Sequence, residues 1–302
     1  MHRRAQRLIV YPDSMPELPE VETIARGLDK RVAGDTVESV WIGSRKQPLK
    51  SPAGVIARTL EGRRIVRVHR AGKHIVFNLE GGERAQKTQP KKKTSAGDAV
   101  TAQWIVHLGM TGRLVVSEPS AEVAKHTHLI AKLASGRELR FIDPRMFGKL
   151  SVHLHPDSRG FDPGGVEPLE VSAERFVELF RGRKTPIKSA LLNQKLLRGV
   201  GNIYADESLF RAGIRPRRRA AAITREQLSK LHRAVQDVLR EAIALGGSSI
   251  SDYVDADGEE GFFQLQHRVY GREGEPCLTC GSAIRRVVLS GRSSHYCAKC
   301  QK

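Results

Sequence analysis

Every cysteine in the chain lies near its carboxyl end, in the pattern Cys277-x2-Cys280-x16-Cys297-x2-Cys300. Two CxxC knuckles separated by about 15 to 20 residues bring four thiolates within tetrahedral reach of one Zn2+ ion, and a closed four-thiolate site is structural. The competing arrangement, two disulfides, would not persist in a reducing compartment. Between the knuckles, Ile284 to Leu289 and Ser294 to Tyr296 read as two strands, with Arg292 at the turn. An arginine at the tip of a zinc ribbon suits a probe of a nucleic-acid backbone or groove, though it can equally be a solvated turn residue.

The rest of the composition agrees with a polyanionic partner. The net charge is +18, and basic residues recur from Arg45 to Lys302 rather than in one tail. Such side chains displace counterions condensed on phosphates, the largest sequence-independent source of nucleic-acid affinity. Charge alone does not choose between RNA and DNA. At 302 residues, two or more domains around a cleft are expected. No run approaches the roughly 18 apolar residues of a membrane span. The opening MHRRAQRLIVYPDS has only Leu8 to Tyr11 as an apolar run, too short for a signal peptide, so a cytoplasmic protein is expected.

Val21, Ile24, Ala25, Leu28 and Val32 follow helical spacing, so Pro19 to about Val32 reads as an amphipathic helix, with Pro19, Glu20 and Glu22 suited to its first turn and Gly34 to its end. From Thr36 to Leu154 short β-branched runs predict strands, among them Val37 to Ile42, Ile65 to Val68, Ile75 to Leu79 and Trp104 to Leu108. The lysine-rich stretch 81–98 has no apolar periodicity and reads as a flexible hairpin insertion. After FDPGGVEP (161–168) the pattern turns helical. Thr185-Pro186 reads as a cap and first turn of a helix to about Leu197, and Asn202 as the cap of a second helix through Arg211. Thr224 and Gln227 form a capping-box pattern before a long helix to about Leu245.

Longer motifs carry a family resemblance. Met15-Pro16-Glu17-Leu18-Pro19-Glu20-Val21-Glu22, Arg70-Ala-Gly-Lys73, His107-Leu-Gly-Met110-Thr-Gly112, Asp143-Pro-Arg-Met-Phe-Gly148, Gly199-Val-Gly-Asn-Ile-Tyr204 and the zinc ribbon together resemble the formamidopyrimidine-DNA glycosylases, over about residues 16 to 302 apart from the insertion. The related endonuclease VIII proteins, which prefer oxidised pyrimidines, usually begin Pro-Glu-Gly-Pro.

The resemblance implies a base-excision repair enzyme that removes oxidised purines from duplex DNA and cuts the strand by β,δ-elimination. It makes Pro16 the nucleophile that attacks C1′. An α-amine titrates near 8, well below lysine, so a useful fraction is neutral at physiological pH. It gives Glu17 the acid/base role at the sugar ring, Lys73 a phosphate contact that assists elimination, and Arg292 the second elimination. Met110, Arg145 and Phe147 match residues inserted into the gap left by a flipped base; the position between the last two is Met146 where the family has an arginine. His126, Lys184 and Asn202 match DNA-contacting positions, with Arg183 adjacent to Lys184 and able to take its place. His126 and His128 could otherwise suggest a metal pair, but no third ligand is nearby. The stretch 246–263, rich in glycine and small polar residues, matches a mobile lid over the flipped purine.

Fourteen residues and a methionine precede Pro16, and a proline inside a chain is an amide without a nucleophilic lone pair. Translation from Met15 or trimming of residues 1–15 would free it; otherwise the protein is a catalytically silent DNA-binding relative. The expected architecture is α+β: an amino-terminal β-sandwich over residues 16–160 with flanking helices, a helix-two-turn-helix domain over 168–247, the lid and connector 248–270, and a zinc ribbon over 271–302. It is expected to hold one structural Zn2+ ion, to bind double-stranded DNA containing oxidised bases or abasic sites, to have no membrane partner, and to act as a monomer in the cytoplasm, on the nucleoid.

Overall fold

The computed structural model describes residues 15–81, 101–156, 160–248 and 261–302. The extension before Met15, the lysine-rich insertion after Gly81 and the middle of the expected lid lie outside the described residues.

Helix α1 (Leu18–Val32) starts where Pro19 can occupy the first turn without leaving a hydrogen bond unmade. Its apolar residues serve two cores. Leu18 is buried with the helical half of the protein, whereas Val21, Ile24, Leu28 and Val32 are buried with the sheets. The amino end of α1 therefore lies at the seam between the two halves.

The sheet half holds two antiparallel four-stranded sheets. One has the order β1 (Val37–Ile42), β6 (Thr127–Leu133), β7 (Glu138–Ile142), β5 (Arg113–Ser117). The other has the order β2 (Arg63–Ala71), β3 (His74–Gly81), β4 (Ala102–His107), β8 (Lys149–Leu154). Leu129, Ala131 and Phe141 of the first share a core with Phe77, Trp104 and Val106 of the second, which makes a sandwich. The expected strands are present, although β4 ends at His107 and Leu108 belongs to the turn beyond it. A short helix, α2 (Ala53–Leu60), interrupts this region; Ile56, Thr59 and Leu60 are its buried stripe.

The helical half packs α3 (Ala173–Phe180), α4 (Ile187–Leu191), α5 (Asn202–Ala212) and α6 (Arg225–Ala244) around one core. The capping box of α6 forms as expected, with the Thr224 hydroxyl accepting the Gln227 N–H at 3.2 Å and the Gln227 side-chain Oε1 accepting the Thr224 N–H at 3.2 Å.

Three local expectations are corrected. The helix expected from Thr185 to Leu197 is only Ile187–Leu191, capped by Pro186 and followed by turns. The Asn193 carbonyl accepts the N–H groups of Leu196 and Leu197, and the Gln194 amide donates to the carbonyls of Leu192 and Val200, so these groups need no helix. Asn202 is the first helical residue of α5 rather than its cap; Gly201 caps it. Arg292 opens strand β10 (Arg292–Cys297), paired with Leu289 of β9 (Ile284–Leu289), and the hairpin turn is Ser290-Gly291. Both turn residues have positive φ, 48° and 75°, as a tight two-residue hairpin requires.

Candidate active site

The amino ends of α1 and α5 converge on one carboxyl group. The Leu18 N–H donates to the Gly199 carbonyl at 3.0 Å, which joins the two segments. Glu17, the N-cap of α1, is buried, and its Oε1 accepts the N–H of Ile203 in the first turn of α5 at 3.2 Å. This explains the glycine at 201. A Cβ there would overlap the Glu17 carboxyl carbon, so no other residue allows the two helix ends to approach this closely. Glu20, one turn along α1, accepts the N–H of Glu17 at 2.9 Å, the N–H of Ser248 at 2.8 Å and the hydroxyl of Tyr204.

Burial pushes the Glu17 carboxyl up to about 7, and the neighbouring Glu20 charge adds to the shift. The Lys73 charge and the N–H groups of Ile203 and Tyr204 oppose it without cancelling it. A carboxyl in this range can both hold and release a proton at neutral pH. Its second oxygen and the Asn202 side-chain oxygen are buried without a hydrogen-bond partner among the described residues, so both are left to meet a ligand.

A cleft of about 170 Å3 opens beside these atoms, lined by Met15, Glu17, Lys73, Asn202, Tyr270 and Arg292. The side chains arrive from four directions. Lys73 sits at the tip of the β2–β3 hairpin, Asn202 at the start of α5, and Arg292 at the start of β10, while half-buried Pro16 directly precedes Glu17. Burial lowers the pKa of the Lys73 ammonium against the opposing pull of Glu17, and the Arg292 charge lowers it further. The hairpin is tied in place by Arg70, which pairs with Glu22 of α1 at 2.8 Å and with Glu167 at 2.8 Å.

Met110, Arg145 and Phe147 lie on two turns locked together by Asp143. Its carboxylate accepts the Thr111 hydroxyl at 2.6 Å and the Gly148 N–H at 2.7 Å, and a Cβ on Gly109 would strike the Phe147 backbone. Met110 is half-buried. Phe147 is 51% exposed with the Arg145 guanidinium 4.9 Å above its ring, so neither packs in the core. His126 is exposed, at φ 70°, and its carbonyl accepts the Asp143 N–H, which places it beside the same turns. His128 is buried and its ring bonds the Asp143 carbonyl. Lys184 is exposed in the link between α3 and α4, while the adjacent Arg183 donates to the Leu179 carbonyl.

Several residues at the site escape sequence reasoning. Glu20 looks like an ordinary acidic residue of a first helical turn, and Lys188, Asp206 and Glu207 look like solvated charges. In fact α5 is buried on nearly every side from Ile203 to Leu209, so Asp206 and Glu207 are buried with it. A weak apolar periodicity in NIYADESLF was the available signal, because a helix surrounded by protein has no polar face.

The four cysteine sulfurs lie within 4.8 Å of one another, the Cys280 and Cys297 sulfurs at 3.5 Å and those of Cys277 and Cys300 at 3.9 Å. Four thiolates about 2.3 Å from a shared Zn2+ would stand about 3.8 Å apart, whereas a disulfide needs about 2 Å. The residues therefore fit one structural zinc ion. Cys280→Ser is expected to lose the metal, measured as zinc per chain by atomic absorption, and to bind duplex DNA more weakly because the ribbon loosens. Full zinc occupancy in that variant would contradict the four-thiolate site.

The formamidopyrimidine-DNA glycosylase N-terminal domain matches residues 15–150, the H2TH domain of the same proteins residues 165–254, and the zinc finger found in FPG and IleRS residues 274–302. The chain is 46% identical over 288 residues to a formamidopyrimidine-DNA glycosylase of Solibacter usitatus and 41% identical over 299 residues to one of Gluconobacter oxydans; each alignment covers 95% of this chain and 100% of the relative. Among solved structures, the MutM (FPG) protein of Thermus thermophilus superposes with a TM-score of 0.78 at 40% identity, covering 95% of this chain and 98% of that one. The Lactococcus lactis Fpg in complex with abasic-site DNA superposes with a TM-score of 0.81 at 31% identity, covering 95% and 99%.

Proposed function

The chain belongs to the formamidopyrimidine-DNA glycosylase family and is a base-excision repair DNA glycosylase and AP lyase, and from that premise we propose that it removes oxidised purines through a covalent adduct on Pro16. One observation carries the reading: a carboxyl poised near neutrality, directly after the proline, faces a cleft that also holds Lys73 and Arg292. The Pro16 nitrogen lone pair bonds to C1′ of the damaged nucleotide, the C1′–N bond breaks with its electrons leaving on the base, and the proton on the Pro16 nitrogen passes to that base, which restores the nitrogen lone pair. Glu17 gives a proton to O4′ as the C1′–O4′ bond opens, leaving an iminium that is already cationic. The iminium acidifies the C2′ hydrogen. Its loss expels the 3′ phosphate, and loss of a later proton expels the 5′ phosphate. Lys73 and Arg292 supply positive charge to these departing groups.

The remaining roles follow from placement. Met110, Arg145 and Phe147 fill the gap beneath the flipped nucleotide, an apolar chain, a flat cation and a ring on interlocked turns. Asn202 contacts phosphate beside the amino terminus of α5, whose Ile203 N–H is already held by Glu17. His126 and Lys184 contact the backbone, Lys184 in preference to Arg183, whose guanidinium is engaged by a main-chain carbonyl. The zinc ion holds the ribbon that presents Arg292 and takes no part in bond making. No helix among the described residues is long and apolar enough to cross a membrane; the protein acts as a monomer on nucleoid DNA in the cytoplasm.

The nucleophile needs a free amine at Pro16. The match to the N-terminal domain begins at residue 15, which supports a functional chain that starts at Met15 and loses it. Borohydride added during reaction with duplex containing 8-oxoguanine opposite cytosine should trap a covalent adduct with protein that begins at Pro16, and none with protein that retains residues 1–15. Failure of the Pro16 form to be trapped would leave a silent DNA-binding relative. Trapping only with oxidised pyrimidine substrates would assign endonuclease VIII-like specificity.

A further inference from the structure

A buried ion pair joins the helical half to the ribbon, and no step of the excision chemistry uses it. The side chains of Lys188 on α4 and Asp206 on α5 are 1% and 0% exposed, with Nζ and Oδ1 2.7 Å apart. The same ammonium donates to the Ser293 carbonyl at 2.6 Å. The other Asp206 oxygen accepts the His295 N–H at 2.8 Å. Both contacts fall on the backbone of β10 immediately after Arg292. The pair thus grips the start of the strand that carries the arginine into the cleft.

Packing alone does not require charges here, since an apolar pair of similar volume avoids the desolvation of two ions. What apolar side chains lack is direction. A donor aimed at the Ser293 carbonyl and an acceptor aimed at the His295 N–H set where β10 stops along α5, and hence where the Arg292 guanidinium stands. The neighbouring Glu207 acts similarly on the other chain segment at the cleft, accepting the N–H groups of Arg268, Val269 and Tyr270 at 2.8 to 2.9 Å.

We propose that Lys188 and Asp206 are positioning residues for Arg292, so that the second elimination depends on them while the first does not. This rests on the role given to Arg292 above. The test uses duplex DNA with one abasic site and reads the ratio of 3′-phosphate ends, left by the second elimination, to 3′ unsaturated aldehyde ends, left by the first. The Lys188→Met/Asp206→Leu double variant removes both charges together, so neither is stranded. It should lower the ratio about tenfold or more, as expected for a displaced catalytic group, with the first elimination, the zinc content and the Tm near their original values.

Arg292→Ala is the comparison. A lowered ratio in Arg292→Ala with an unchanged ratio in the double variant overturns the positioning role alone. An unchanged ratio in both overturns the role of Arg292 and this inference with it. A parallel fall of both eliminations in the double variant means a scaffold only, and also overturns it. Should the double variant not fold, Asp206→Glu keeps both charges and lengthens the tether by one methylene. It too should lower the ratio, and an unchanged ratio there overturns the proposal.

Discussion

Glu17→Gln is expected to slow single-turnover base release by roughly 10²- to 10⁴-fold, the usual worth of a positioned proton donor, while leaving affinity for lesion-containing duplex nearly intact. The amide has the shape of the carboxyl and can still accept the Ile203 N–H, so the junction of α1 and α5 survives. It cannot protonate O4′. In the parent enzyme the carboxyl titrates at about 7, and the protonated form is the one that donates. That form is lost above the pKa while the neutral Pro16 amine is still gaining up to about pH 8, so the parent rate should fall about tenfold per pH unit only above about 8. A variant that released the base at the parent rate would remove Glu17 from the mechanism.

Gly201→Ala is expected to be nearly as damaging, although the added group is one methyl. The new Cβ would overlap the Glu17 carboxyl and drive it off the Ile203 N–H toward the cleft. Displacing a catalytic group by about 1 Å can cost about 10²-fold in rate. Overpacking should also lower stability by about 1–3 kcal/mol. The origin of the loss can be checked by a double-mutant cycle. Glu17→Ala in the Gly201→Ala background removes the clashing carboxyl, so the Tm should recover while activity does not. A Tm equally low in single and double variants would place the strain elsewhere than at Glu17.

Features legible in the sequence and features that were not divide by the range of the forces involved. The α6 capping box, the spacing of the buried face of α1 and the CxxC knuckles were all legible, because each depends on neighbours within a few residues or on ligands whose spacing is covalently set. The Pro16-Glu17 pair and the Lys73 and Arg292 positions were legible through the motifs that contain them. Errors arose where distant chain segments decide. The local pattern through Leu197 fits a helix, but the Val166 N–H donates to the Leu196 carbonyl and the Val166 carbonyl accepts the Arg198 N–H, which holds this stretch extended. Asn202 lost the capping position because α1 delivers its own carboxylate there.

By itself the sequence determined a zinc ribbon, a sandwich followed by helices, a strongly basic composition and the candidates for the reacting groups, since side-chain chemistry and short-range periodicity are written residue by residue. Only the tertiary structure decided that Glu17 titrates near neutrality, that glycine is needed at 201, and that Lys188 and Asp206 reach the strand carrying Arg292. Those properties come from burial and from contacts across 105 residues of chain in the case of Lys188 and Ser293, and 186 in the case of Glu17 and Ile203. Desolvation and close approach belong to a site only after the chain has closed around it.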